Sequence, residues 1–258
     1  MAELTLYTYL DLCTQVYDLS KPIPPQDEYE FYRAYAISAN GPILEPMCGT
    51  GRFLLPLIAE GFNVHGFDAS KHMLDALYAK ANAQNLKVNV WQAFIEEIKI
   101  PEKYQLIFIP SGTFNLILDI QQAKKALKKL YDSLTNDGIL VFEAEMFRTA
   151  STRPGIWRGT AWTREDGKIV LANFLDLALQ NNIGATICRY ELIDDNTIIK
   201  TEIENFKLRF YDPDKLFAIL SEVGFTEIKM IKAFDHSKQP ESNDEVVVYE
   251  CKKVVCAL

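Results

Sequence analysis

From Pro42 onward short apolar runs alternate with amphipathic stretches, and the first junction of that alternation constrains the fold most. Ile43-Leu44 runs into Glu45-Pro46-Met47-Cys48-Gly49-Thr50-Gly51-Arg52, after which Phe53, Leu54, Leu57 and Ile58 recur at helical spacing as far as Gly61. A strand that ends in a glycine turn and feeds a helix rejoins the sheet as a parallel neighbour, because parallel strands need a crossover. The rhythm repeats. Phe62 to Phe67 predicts a second strand with Asp68 at its end, and Ala69-Ser70 opens a helix through Met73, Leu74, Leu77 and Tyr78. Val88 to Trp91 reads as a third strand, and Leu106 to Ile109, continuous and apolar, as a buried fourth. A lysine-rich helix is expected to end near Asn136-Asp137-Gly138, with a fifth strand over Ile139 to Phe142. The expected fold class is α/β, a doubly wound parallel sheet.

After Glu145 the pattern changes. Lys168 to Leu177, Gly184 to Leu192 and Thr197 to Phe210 are β-rich and separated by turn chemistry at Glu165-Asp166-Gly167, Gln180-Asn181-Asn182 and Asp194-Asp195-Asn196. We read residues 146–211 as an antiparallel insertion, because α/β logic resumes with a helix from Asp212-Pro213-Asp214 and strands around Ile228 and Val246. Residues 1–40 read as tyrosine-rich helices broken at Lys21-Pro22-Ile23-Pro24-Pro25. All 258 residues are expected to form a single domain.

The formal net charge of -8 speaks against nucleic acid as a partner, since phosphate binding calls for a basic face. Lys124, Lys125, Lys128 and Lys129 form the nearest basic run, and it reads as the solvated side of a helix whose other side is Ala123, Leu127, Leu130 and Leu134. The five cysteines, Cys13, Cys48, Cys188, Cys251 and Cys256, are scattered without a CxxC pair, which fits a reducing compartment and suggests neither disulfides nor zinc. Met1-Ala2-Glu3-Leu4 lacks the start of a secretory signal, and the apolar runs around Ile107 and Leu140 are too short to span a bilayer. A cytoplasmic location without membrane association is expected.

The glycine turn decides the ligand class. A dinucleotide fingerprint needs a third glycine three residues after Gly51, and that position is Leu54. This disfavours a nicotinamide or flavin oxidoreductase. Glu45-x-x-x-Gly49-x-Gly51 resembles instead the first signature of class I S-adenosylmethionine-dependent methyltransferases. Asp68 stands where ribose-binding acids end the second strand, or else it is a helix N-terminal acid stabilised by the dipole. The lid-like stretch Leu12 to Pro25, the β-rich insertion and Phe210-Tyr211-Asp212-Pro213 are similar to the small-molecule members of that family. The resemblance implies a Rossmann-like methyltransferase sheet and S-adenosyl-L-methionine as cofactor.

Carried over residue by residue, the resemblance implies that Gly49 and Gly51 lie against the methionine part, with Glu45, Met47 and Arg52 as further cofactor-binding candidates. Asp68 holds the ribose and Ala69 packs near the adenine. Ser111 and Thr113 line the site near the transferred methyl, and Pro110 and Tyr17 are further cofactor-binding candidates. One position departs. Relatives carry an Asp after the third strand for the adenine amino group, whereas this chain has Ala93-Phe94, so Phe94 either packs on the adenine or belongs to the core. The stretch Ile109-Pro110-Ser111-Gly112-Thr113 is neither the Asn/Asp-Pro-Pro-aromatic motif nor part of a magnesium-binding aspartate cluster, and no metal is expected.

A sulfonium methyl is already electrophilic, so alignment and exclusion of water suffice for direct displacement. Candidate catalytic residues are Tyr17, Glu143 and Glu145; the two glutamates follow the expected fifth strand and either serve an acceptor as base and amine ligand or are solvated loop carboxylates. Tyr17, Trp157, Trp162 and Tyr211 are acceptor-pocket candidates or core, Arg158 and Arg209 are anion-binding candidates or surface, and His65, His72 and His236 read as structural or exposed. The expected reaction is methyl transfer to a small-molecule acceptor. A protein side chain as acceptor, or S-adenosylmethionine binding without catalysis, are the alternatives.

Overall fold

The chain opens with α1 (Asp11–Ser20) and α2 (Gln26–Ser38) in a computed structural model that describes residues 6–100, 102–146 and 154–253. Then β1 (Ile43–Pro46), α3 (Leu54–Ala59), β2 (Val64–Asp68), α4 (Lys71–Ala83), β3 (Asn89–Gln92), β4 (Tyr104–Ile109), α5 (Ile120–Ser133) and β5 (Leu134–Glu145) alternate. Four strands follow: β6 (Trp157–Thr163), β7 (Ile169–Asp176), β8 (Ile183–Asp194) and β9 (Thr197–Arg209). The described part closes with α6 (Pro213–Val223), β10 (Glu227–Lys232) and β11 (Val246–Lys252). The readings made on Met1 to Leu4, on Cys256 and on the start of the insertion at 147–153 lie outside the described residues.

Seven strands pair in the order β10-β11-β5-β4-β1-β2-β3, all parallel from β5 to β3, with β11 reversed between β5 and β10. The order runs outward from β1 in both directions, which leaves a crevice beyond the carboxyl ends of β1 and β4. Alternation along each strand sorts the core into two layers. Leu44, Ile107, Ile109, Leu140 and Phe142 pack on the α5 and α6 side. Ile43, Leu106, Phe108 and Val141 pack on the α2, α3 and α4 side. Each such buried side chain contributes about 1.5–3 kcal/mol. By the same parity Glu45, Glu143 and Glu145 share the face that carries α2.

Two expected boundaries move. The lysine-rich helix ends at Ser133, and β5 starts at once with Leu134 opposite Tyr104; a bulge then resets the register so that Ile139 pairs with Leu106. β5 also runs past Phe142 to Glu145, so Glu143 and Glu145 are strand residues and not loop carboxylates. The lysine run is a surface: Lys124 pairs with Glu222 and Lys128 with Asp132, while Ala123, Leu127 and Leu130 are fully buried.

β6 to β9 form a separate antiparallel sheet in chain order. Its inner face, Val170, Ala172, Cys188, Tyr190 and Leu192, closes on Leu12, Cys13 and Val16 of α1. Glu204 of β9 accepts the amide hydrogens of Tyr9 at 3.0 Å and Leu10 at 2.8 Å, and Glu202 accepts that of Leu12 at 2.7 Å. These carboxylates satisfy orphan donors at the start of α1, a task its Leu10 cap cannot perform. The first helix is therefore built into the insertion sheet. Among the described residues no helix is long and apolar enough to cross a membrane.

Candidate active site

The turn after β1 is left-handed at Met47 (φ 57°), Gly49 (φ 54°) and Gly51 (φ 79°). The two glycines serve different ends. A Cβ on Gly51 would lie 2.9 Å from Leu77 Cγ, so Gly51 lets α4 approach, whereas a Cβ on Gly49 would enter open space. Gly49 thus leaves a cradle beside the backbone, and Gly51 is a packing glycine. Asp68, at the end of β2, accepts the Gly49 amide hydrogen at 2.8 Å and that of Ser70 at 2.8 Å. Burial raises the Asp68 carboxyl above its ordinary range, against the pull of these bonds.

Next to the turn stand two buried atoms that find no hydrogen-bond partner among the described residues. Glu45 is 3 % exposed, and its Oε2 has no hydrogen-bond partner; neither does Arg52 Nε. Burial pushes the Glu45 carboxyl well above the usual carboxylate range, while the Arg52 charge works the other way. A buried polar atom without a partner costs about 1–3 kcal/mol, so a ligand able to bond both atoms would be favoured here. One acceptor and one donor suit the ammonium and carboxylate of an amino acid. The residues present fit the methionine end of the expected cofactor.

Arg52 lies between aromatic rings, its guanidinium carbon 5.6 Å from the centroid of Tyr17 and 5.2 Å from that of Phe53. It also donates to Ser111 Oγ at 2.5 Å. Tyr17 thereby joins the site from α1, and Thr50 donates to Asp18 at 2.6 Å to pin that helix over the glycine turn. At the other end of the crevice Ala69 accepts from Gln92 Nε2 at 3.0 Å, and the Ala93 amide donates to the Asp68 carbonyl at 3.0 Å. Phe94 is half-buried and stands outside the hydrophobic clusters, which argues against plain core. Met47 packs on the core layer beneath, and Pro110 is buried at the end of β4. The Thr113 hydroxyl is spent on the Pro110 carbonyl at 2.7 Å, so it shapes the turn and does not line the site with a free donor.

Beyond Ser111 opens a cavity of about 740 Å³, bounded by Glu28, Glu143, Glu145, Arg52, Phe234 and the Lys21–Pro25 segment. Glu143 is 4 % exposed and accepts from Tyr32 Oη at 2.7 Å and the Ser111 amide at 2.8 Å. Burial, then the neighbouring Glu28, raise its carboxyl to about 8. Glu145 is half-buried, and burial raises its carboxyl while Lys21 opposes the shift. Among the described residues no group of three or more His, Cys, Asp or Glu side chains is spaced to hold a metal ion.

The other aromatic and cationic candidates stay apart. Tyr211 is core, its hydroxyl given to the Ile117 carbonyl at 2.8 Å, and Trp162 packs on the cluster between α1 and the insertion sheet. Trp157 is 51 % exposed on the edge strand β6. Arg158 pairs with Asp176 and Arg209 donates to the Leu118 carbonyl. His65 meets Tyr104 at 3.0 Å, and His236 stacks on Phe31. Glu28 and Tyr32 are not site candidates in the sequence, and Lys21 is marked there only as part of the lid. The parity of β5, with Glu143 on the face of Val141, was the available signal for a buried partner on α2.

Residues 43–138 match the family described as "Methyltransferase domain". A Geobacillus sp. (strain WCH70) protein named as a methyltransferase is 26% identical over 212 residues, 82% of this chain and 84% of that protein. The Ubiquinone biosynthesis O-methyltransferase of Rickettsia canadensis is 28% identical over 99 residues, 38% of this chain and 40% of its own length. Among solved structures, an S-adenosylmethionine-dependent methyltransferase from Clostridium acetobutylicum superposes with a TM-score of 0.78 at 19% identity, covering 94% of this chain and 98% of its own. The sugar N-methyltransferase KedS8 from Streptoalloteichus gives 0.74 at 18% identity, with 99% of each chain covered. At these identities the superpositions speak for the fold, from the lid helices through the insertion sheet.

Proposed function

We propose that the chain is a class I S-adenosylmethionine-dependent methyltransferase that methylates a small-molecule amine held between the lid and the end of β5, a reading supported by the match of residues 43–138 to a methyltransferase domain. The observation that carries the reading is the pair of unpartnered buried atoms, Glu45 Oε2 and Arg52 Nε, beside the open cradle at Gly49. When bound, S-adenosylmethionine supplies an electrophilic sulfonium methyl group.

Glu45 and Arg52 hold the amino-acid end, and Gly49 leaves it room. Asp68 accepts the ribose hydroxyls, while Ala69, Ala93 and Phe94 flank the adenine. Tyr17, Pro110 and Ser111 close the methyl-bearing end. Three carboxylates on the acceptor wall, Glu28, Glu143 and Glu145, suit a cationic acceptor. The sugar N-methyltransferase among the structural neighbours points the same way. Glu143 and Glu145 orient the acceptor and take its proton, and the Lys21–Pro25 segment excludes water. We place lid, sheet and insertion in one functional domain. A cytoplasmic setting agrees with the buried, unpaired thiols of Cys13, Cys48, Cys188 and Cys251.

Calorimetric titration with S-adenosylhomocysteine tests the reading. Binding near the micromolar range, about -8 kcal/mol, is the expected result. A folded protein that does not bind overturns it.

A further inference from the structure

Ser111 is held left-handed (φ 58°) after β4, and in that pose it serves two carboxylates at once. Its amide donates to Glu143 Oε1 at 2.8 Å, and its hydroxyl to Glu28 Oε1 at 2.7 Å. Tyr32, one helical turn beyond Glu28 on α2, donates to the same Glu143 oxygen at 2.7 Å. Both carboxylates border the cavity, and both are nearly buried, at 6 % for Glu28 and 4 % for Glu143.

We infer that Glu28, carried by the lid helix α2, is a catalytic residue acting with Glu143 as one carboxylate pair that takes the proton of an acceptor ammonium group. The inference rests on the amine methylation proposed above. Two carboxylates at one buried site cannot both ionise cheaply, so the pair retains a proton near neutral pH. The elevation of Glu143, caused by burial and then by Glu28, agrees with this. Facing the pair are Tyr32 from α2, Ser111 after β4, Arg52 after the glycine turn, Glu45 from β1, and Tyr17 and Lys21 from the lid. Arg52 and Lys21 are the cations of that set.

An entering ammonium group supplies the missing positive charge, and the retained proton leaves to solvent. The ionised pair then accepts the ammonium proton: a nitrogen–hydrogen bond breaks, an oxygen–hydrogen bond forms, and the nitrogen lone pair is freed. That lone pair forms the bond to the methyl carbon as the carbon–sulfur bond breaks, its electrons staying on sulfur. A single buried carboxylate would hold less charge for the cation and sit lower as a base; the second carboxylate brings its basicity toward that of an amine.

Sinefungin, which carries an ammonium group in place of the transferable methyl, tests this against S-adenosylhomocysteine, which carries none. Calorimetry of each near neutral pH, in buffers of different ionisation enthalpy, counts the protons released on binding. In the wild-type protein sinefungin should release about one proton more than S-adenosylhomocysteine. In Glu28→Gln that excess should fall while S-adenosylhomocysteine still binds. Equal proton counts in the wild type overturn the inference without recourse to any variant and leave the methyltransferase reading intact. An unchanged excess in Glu28→Gln assigns the proton elsewhere and also overturns it. Failure of the folded wild type to bind either ligand overturns the function and this inference together.

Discussion

Asp68 accepts the amide hydrogen of Gly49 at 2.8 Å, so the carboxylate that ends β2 also braces the turn that follows β1. A residue placed in this way shapes the crevice and faces it. Asp68→Ala should weaken S-adenosylhomocysteine binding by about 1–3 kcal/mol, the scale of lost charge-assisted hydrogen bonds. Calorimetry on the folded variant reads it directly, and unchanged affinity would remove Asp68 from the ribose.

The two turn glycines should fail differently when substituted. Gly51→Ala forces a Cβ to 2.9 Å from Leu77 Cγ and 3.0 Å from Leu55 Cγ at a positive φ, so its cost should appear in stability, at about 2–3 kcal/mol. Gly49→Ala meets no protein atom within 4 Å, so its backbone cost should stay near 1–2 kcal/mol. Its larger effect should be on S-adenosylhomocysteine affinity. Thermal melts and titrations of both variants separate the two roles.

Stability should fall as pH rises through the neutral range. The Glu143 carboxyl stands at about 8 in the folded protein, above its unfolded value, so the native state binds more protons between the two. Its contribution is complete below the ordinary carboxylate range and is lost as pH climbs through the folded value. The wild-type melting temperature should be lower at about pH 9 than at about pH 6. Glu143→Gln should flatten that slope in part, because burial raises Glu45 and Glu145 in the same direction. An identical slope in the variant would refute the assignment.

Glu204 accepts two amide hydrogens at the start of α1, and α1 carries Tyr17 and Asp18 over the glycine turn. Glu204→Ala should release that helix at a local cost of about 1–3 kcal/mol. Amide hydrogen exchange across residues 9–20 should quicken well before exchange in β1 or β4 does. Cofactor affinity should drop although Glu204 lies on the insertion sheet. Uniform quickening throughout the chain would mean that Glu204 supports the whole fold and not the lid.

Local chemistry was enough for the strand and helix order, the glycine turn, Asp68 at the end of β2 and the β-rich insertion. Period-two and helical spacing, Gly61 and Gly224 at helix ends and the Asp212 cap are signals contained within a few residues. Those signals do not say which distant groups meet. Glu28 reaches Ser111 across 83 positions, Tyr32 reaches Glu143 across 111, and Glu204 reaches Leu10 across 194. Aromatic residues read alike in a core and in a pocket, which is why Tyr211 was a candidate and proved to be packing. The proposed cofactor half of the site comes from one strand-turn-helix unit and its neighbour, so residue types and spacing point to it. The proposed acceptor half lies where α2 is laid across the end of β5, and only that long-range packing brings the Glu28 and Glu143 carboxylates to the same serine.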